Sequence, residues 1–259
     1  MRYAAIGDSF TEGVGDERGD GAVRGWADLV AAGLAAARGA PISYANFAVR
    51  GRLLDDIVTG QLDAALGLDP PPTLLTLNGG GNDMLRPHTD VAELAERTAP
   101  VVRRCADAGV RLVLISGADP SDHMPLGRVV RRRGEELTAR IAELAAAHDV
   151  TYVDCFHDTE LHRPIYWSPD RLHLGPAGHR RAAGLILRGI LGGGEVPATT
   201  GSDLRRGPLA QLRYHREHVL PWVGRRLRGE SSGDTATAKH PDWVTVPATR
   251  TVAAGFSGA

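Results

Sequence analysis

The chain has 259 residues, with 30 basic and 31 acidic side chains, a formal net charge of −1, 42% hydrophobic residues and 24% charged ones. That is a globular composition; it excludes a disordered chain, a collagen and a coiled coil. The balanced charge excludes a strong general attraction to nucleic acid or to anionic membranes. Lys239 is the only lysine and the other 29 basic residues are arginine, a bias read as genomic background rather than as a phosphate-binding device. Cys105 and Cys155 are too few for a disulfide framework or a zinc site and read as core thiols. Met1-Arg2-Tyr3 leads straight into a strand-like segment with no signal-peptide pattern, and no apolar run reaches the ~18 residues of a membrane span, so a cytoplasmic protein is expected.

In chain order, short apolar runs alternate with helical periodicity. Strands are predicted at 3–6, 42–47, 73–77, 110–115 and 151–153, and helices at 26–38, 53–66, 91–108, 126–148 and 176–191. The helix at 53–66 carries Leu54, Ile57, Val58, Leu62, Ala65 and Leu66 on one face. Such alternation implies a parallel sheet covered on both sides, with a ligand crevice beyond the C-terminal strand ends. After residue 194 the pattern changes. Residues 195–203 are linker-like, 204–227 predict a helix broken near Pro221, and 229–259 predict an extended or partly disordered tail with little to bury except Trp243, Val244 and Val246.

Four segments carry candidate chemistry of the kind serine hydrolysis needs: a nucleophile, a base, an orienting acid and oxyanion donors. Ser9, in Gly7-Asp8-Ser9-Phe10, follows the first strand at a strand-to-helix turn. A serine there exposes its Oγ to the crevice, but with Glu12 three residues on it equally forms a capping box. Asp170 and His173 are three apart on one Pro-flanked loop, a spacing that lets a carboxylate hold an imidazole; the same spacing also arises as a surface or capping pair. Gly80-Gly81-Asn82-Asp83 follows the third strand, where a side-chain amide suits an oxyanion and where a polar turn is the plain alternative. Gly51, after the second strand, offers a backbone N–H or is simply a loop glycine.

In order and placement these blocks resemble the SGNH hydrolases, the GDSL-type esterases and lipases, over residues 1 to about 191. Phe10 stands where leucine is usual in the first motif. The resemblance implies a flavodoxin-like three-layer αβα sandwich with a five-stranded parallel sheet. It implies Ser9, His173 and Asp170 as a catalytic triad, and Ser9, Gly51 and Asn82 as the oxyanion hole. No cofactor and no metal are expected: Asp8, Asp83, Asp170 and His173 compose a conceivable metal set, but Asn82 and the glycines suit a carbonyl oxyanion better than a cation. It says nothing about residues 192–259.

The expected organisation is therefore a hydrolase domain at 1–194, a helical extension at 195–228 and a tail at 229–259. The expected activity is cleavage of a small-molecule acyl ester through an acyl-enzyme. An O-deacetylase, a thioesterase or an acyltransferase needs the same residues, and a non-catalytic binding module on the same scaffold is the alternative from another class. Oligomeric state is not legible in the chain. His123 is a candidate pocket residue, His179 is expected to face away from the site, and Trp167 is a candidate wall of the acyl pocket. Asp8 and Asp83 are expected to make structural hydrogen bonds. Gly13-Val14-Gly15 lacks the spacing of a dinucleotide loop.

Overall fold

A computed structural model describes residues 1–19, 21–86, 88–124, 126–199 and 236–248. Strands β1 (Arg2–Ile6), β2 (Ile42–Asn46), β3 (Leu74–Leu77), β4 (Arg111–Ile115), β5 (Thr151–Val153) and β6 (His240–Val246) form one sheet in the order β5-β4-β3-β1-β2-β6. The first five are parallel, with Ala4 opposite Ala45 on one side and Leu75 on the other. The fold is the expected three-layer α/β sandwich. The sheet differs in one respect: β6, from the segment expected as a tail, adds a sixth strand antiparallel to β2.

Successive strand residues point to opposite faces, and here both faces are buried, which is why the strands read as continuous apolar runs. Tyr3 and Ala5 pack under α2 (Gly25–Arg38) and α8 (Pro176–Leu191), among Trp26, Leu34 and Ile186. Ala4 and Ile6 face the opposite layer. That layer contains α3 (Leu54–Asp56) and α4 (Leu62–Leu66), joined through a π-helical turn at Ile57–Gln61, together with α6 (Val91–Asp107) and α7 (Gly127–Ala147). Local signals set the boundaries. Asp90 caps α6 by accepting the Ala92 N–H, Pro176 opens α8, and Gly39 closes α2 at φ +64. Both cysteines are buried and unpaired by any disulfide.

The chain runs from β1 outward to β2 and then returns to the other side of β1 as β3. That reversal opens a crevice at the C-terminal ends of β1 and β3. Two short helices start there, α1 (Ser9–Glu12) and α5 (Gly81–Met84).

At the other end of the chain, Trp243 donates its indole N–H to the Pro70 carbonyl at 3.0 Å, and Val244 and Val246 pack against the α2–α8 core. Residues 195–199 fold back on α8, where Arg181 donates to the Val196 carbonyl at 3.0 Å. The helix expected over 204–227, with Trp222, lies outside the described residues. Among the described residues no helix is long and apolar enough to cross a membrane.

Candidate active site

The turn out of β1 places Ser9. Gly7 lies where a Cβ would meet the Asn78 carbonyl oxygen at 2.9 Å, so no side chain fits between β1 and β3 here. Gln61 clamps the same residue, accepting the Gly7 N–H at 2.8 Å and donating to its carbonyl at 2.9 Å. Asp8 caps α1, its Oδ1 accepting the Phe10 N–H at 3.1 Å. The capping role available to Ser9 in the sequence is thereby filled by its neighbour, and the Ser9 hydroxyl is left to the crevice. Glu12, the other half of the apparent capping box, instead binds Arg50: it accepts the backbone N–H at 2.6 Å and takes the guanidinium through Nε and Nη2.

His173 Nε2 lies 3.1 Å from Ser9 Oγ, and its Nδ1 lies 2.6 Å from Asp170 Oδ2. The loop that presents both is a closed turn. Ser168 N–H donates to the His173 carbonyl at 2.9 Å, and Arg171 adopts φ +59, folding Asp170 back toward the imidazole. The other carboxylate oxygen, Oδ1, accepts the Leu172 and His173 N–H groups at 3.0 Å each and the Ser168 hydroxyl at 2.6 Å. Burial alone pushes the Asp170 carboxyl up; the hydrogen bonds and charge of His173, with Ser168, outweigh it and hold the group well below the usual carboxylate range. An ionised Asp170 fixes Nδ1 as the donor, so Nε2 is free to accept from Ser9.

Asn82 sits on α5, entered through Gly80 at φ +86. Its amide nitrogen donates to the Arg52 carbonyl at 3.0 Å and lies 3.3 Å from Asp8 Oδ2. Asp8 is buried, and desolvation pushes its pKa up to about 6 against the Phe10 N–H and the charge of His173. Asp83 accepts the Leu54 N–H at 2.9 Å and ties α5 to α3. Gly51, at φ +77, is not part of the cavity wall, but its two neighbours are anchored to the site: Arg50 by Glu12, and Arg52 by Asn82.

The crevice opens into a cavity that Ser9, Asn82 and His173 share with apolar walls, among them Leu137, Phe156 and Trp167. Trp167 is thus on the wall. His123 is not on that wall; its ring packs tilted against Trp167, centroids 5.3 Å apart, and its Nε2 meets the His162 carbonyl at 3.0 Å. His179 is buried away from the cavity, accepting the Trp26 N–H at 3.2 Å, with Nε2 3.1 Å from the Val14 carbonyl. Among the described residues no cluster of His, Cys, Asp and Glu is placed to hold a metal. Gln61, Arg50 and Ser168 support the site without belonging to any motif the sequence displays. Gln61 carries a signal in retrospect, as a polar residue on the apolar stripe of Ile57, Val58 and Leu62.

A model of the GDSL-like lipase/acylhydrolase family matches residues 5–181. The chain belongs to this family. Solved structures with the same fold include the lipase Lip_vut3 from a goat rumen metagenome (16% identity, 73% of this chain and 97% of that one, TM-score 0.61). They also include the esterase EstA from Pseudoalteromonas sp. (18%, 73% and 96%, TM-score 0.57) and a lipase/acylhydrolase from Enterococcus faecalis (24%, 73% and 95%, TM-score 0.57). Curated proteins offer no match. The family match ends inside α8, so β6 and the segment around it lie outside the matched residues.

Proposed function

We propose that the protein is a carboxylic ester hydrolase acting on small acyl esters through an acyl-enzyme. The observation that carries this reading is the unbroken line from Asp170 Oδ2 through His173 to Ser9 Oγ, at 2.6 and 3.1 Å, opening on an apolar cavity. Ser9 attacks the ester carbonyl carbon while His173 Nε2 takes the hydroxyl proton. The carbonyl oxygen becomes an oxyanion, held by the Ser9 N–H at the start of α1 and the Asn82 amide; the Gly51 N–H, which lies off the cavity wall, is the third donor that the family resemblance implies. For Asn82 this means exchanging its long contact with Asp8 for the oxyanion. His173 then protonates the departing alkoxide. Water, activated by the same imidazole, releases the acid and restores Ser9.

Asp170 keeps its charge throughout and stabilises the imidazolium. The acyl group occupies the side walled by Leu137, Phe156 and Trp167, since apolar walls favour a hydrocarbon and offer a sugar little to bind. A fluorophosphonate probe followed by peptide mapping tests the reading: label on Ser9 is expected, and an unlabelled Ser9 in an otherwise native protein refutes it. A panel of p-nitrophenyl esters from acetyl to palmitoyl, with acetylated sugars and acyl thioesters alongside, separates esterase from deacetylase and thioesterase.

A further inference from the structure

We infer that Lys239 is a positioning residue for the nucleophile, acting from outside the family core through the backbone of the helix that carries Ser9. The inference rests on Ser9 as the nucleophile.

Lys239 immediately precedes β6, and its ammonium is mostly buried. It donates to the carbonyls of Glu12 at 2.8 Å and Arg24 at 2.6 Å and to Asp28 Oδ2 at 3.0 Å, with the Val23 carbonyl at 3.3 Å. Glu12 is the last residue of α1, three after Ser9. The acceptors belong to two chain segments that cross at closest approach. A Cβ on Gly13 would meet the Arg24 carbonyl oxygen and Gly25 Cα, each at 2.7 Å, and both glycines have positive φ. Carbonyl groups gathered at such a crossing repel one another. A compact cation with three donors offsets that repulsion and binds both segments at once.

An arginine does this poorly, because its donors lie in a planar fork rather than converging on a point. In a chain where 29 of 30 basic side chains are arginine, the one lysine stands in this cage of carbonyls.

The contact reaches the rest of the site by two routes. Glu12 binds the Arg50 backbone and guanidinium, holding the turn that contains Gly51. Asp28 accepts the Tyr44 hydroxyl at 2.7 Å, and Asn46 donates to both Tyr44 Oη at 2.9 Å and the Thr11 carbonyl at 3.2 Å. The C-terminal end of α1 is therefore held at Thr11, at the Glu12 backbone and at the Glu12 side chain. Lys239 is the anchor supplied by the C-terminal segment. Loosening it lets α1 shift relative to His173, whose loop makes no bond to Lys239, and a displacement of about 1 Å in a reacting group costs up to roughly 100-fold in rate.

The test uses the full chain. Lys239→Met and Lys239→Arg are compared with Val246→Ala, which weakens β6 at its far end without touching the cage. Tm, kcat and KM on p-nitrophenyl butyrate, and the rate of Ser9 labelling by a fluorophosphonate are measured for each. Lys239→Met is expected to lose roughly 10- to 100-fold in kcat with KM little changed, and to label correspondingly slowly. Val246→Ala is expected to lower Tm while keeping both rates. If Lys239→Met does not fold, Lys239→Arg decides, with a lowered kcat expected at native circular dichroism. Wild-type kcat and labelling in the folded lysine variants, whatever their Tm, overturn the inference and leave the Ser9 reading intact. Absence of Ser9 labelling in the wild type removes both.

Discussion

The Ser168 hydroxyl donates at 2.6 Å to Asp170 Oδ1, the oxygen opposite the one that holds His173. Both ends of the carboxylate are thus occupied, and Asp170 cannot swing away from the imidazole without breaking a bond on its far side. Ser168→Ala is expected to lower kcat roughly tenfold, the worth of one hydrogen bond to a charged group, with little change in KM. Asp170→Asn is expected to cost on the order of 10⁴-fold, because an amide in that place favours the wrong imidazole tautomer. Steady-state kinetics on one ester checks both, and a Ser168→Ala enzyme with wild-type kcat contradicts the role given to this contact.

Ser9→Ala and His173→Ala are each expected to abolish turnover, by on the order of 10⁶-fold if the two groups act as a unit. Neither side chain supports the fold, since α1 is capped by Asp8 and the His173 loop closes through backbone bonds. Circular dichroism and Tm are therefore expected to stay near wild type in both. Parallel loss of structure and activity contradicts the assignment.

Asn82→Ala removes the proposed oxyanion donor and is expected to lower kcat about 10²- to 10³-fold while changing KM little. An equal effect on kcat and KM, or none on kcat, shows that the amide serves only to tie Arg52 to Asp8.

Two buried groups predict opposite pH dependences of stability. Asp8 is raised from 3.8 to about 6, so its folded state holds the proton more tightly; the stability it contributes is present below pH 3.8 and is lost as pH rises through about 6. His179 is lowered from 6.5 to about 4, chiefly by desolvation; its contribution is present above pH 6.5 and is lost as pH falls through about 4. Each amounts to about 3 kcal/mol at most, and across pH 4 to 6 they oppose one another. Denaturant unfolding of Asp8→Asn is expected to show stability rising more steeply with pH than in wild type, and His179→Gln falling more steeply. Identical slopes in all three proteins rule out this pairing.

Much of the fold is legible from local chemistry. Apolar runs in β1, β3 and β4 report burial on both faces, and Asp90, Pro176 and Gly39 mark helix ends because caps depend only on nearby residues. The site candidates are legible for a similar reason: each lies just past a predicted strand end or on a short loop, where α/β sheets expose backbone to ligands. Gln61 and Lys239 are not, because their partners stand at Gly7, 54 positions away, and at carbonyls more than 200 positions away; Ser168 is only two residues from Asp170, but it is the closed turn that aims its hydroxyl at the oxygen opposite His173.

By itself the sequence determined the alternation of strands and helices, the two-sided core and the short list of residues able to do acyl chemistry. Periodicity and motif spacing are properties of neighbours along the chain. Only the tertiary structure decided that Asp8 rather than Ser9 caps α1, that His123 braces Trp167 and lies off the cavity wall, and that residues 240–246 complete the sheet beside β2. Those outcomes depend on which surfaces and hydrogen-bonding groups meet when distant segments pack, and no local pattern encodes them.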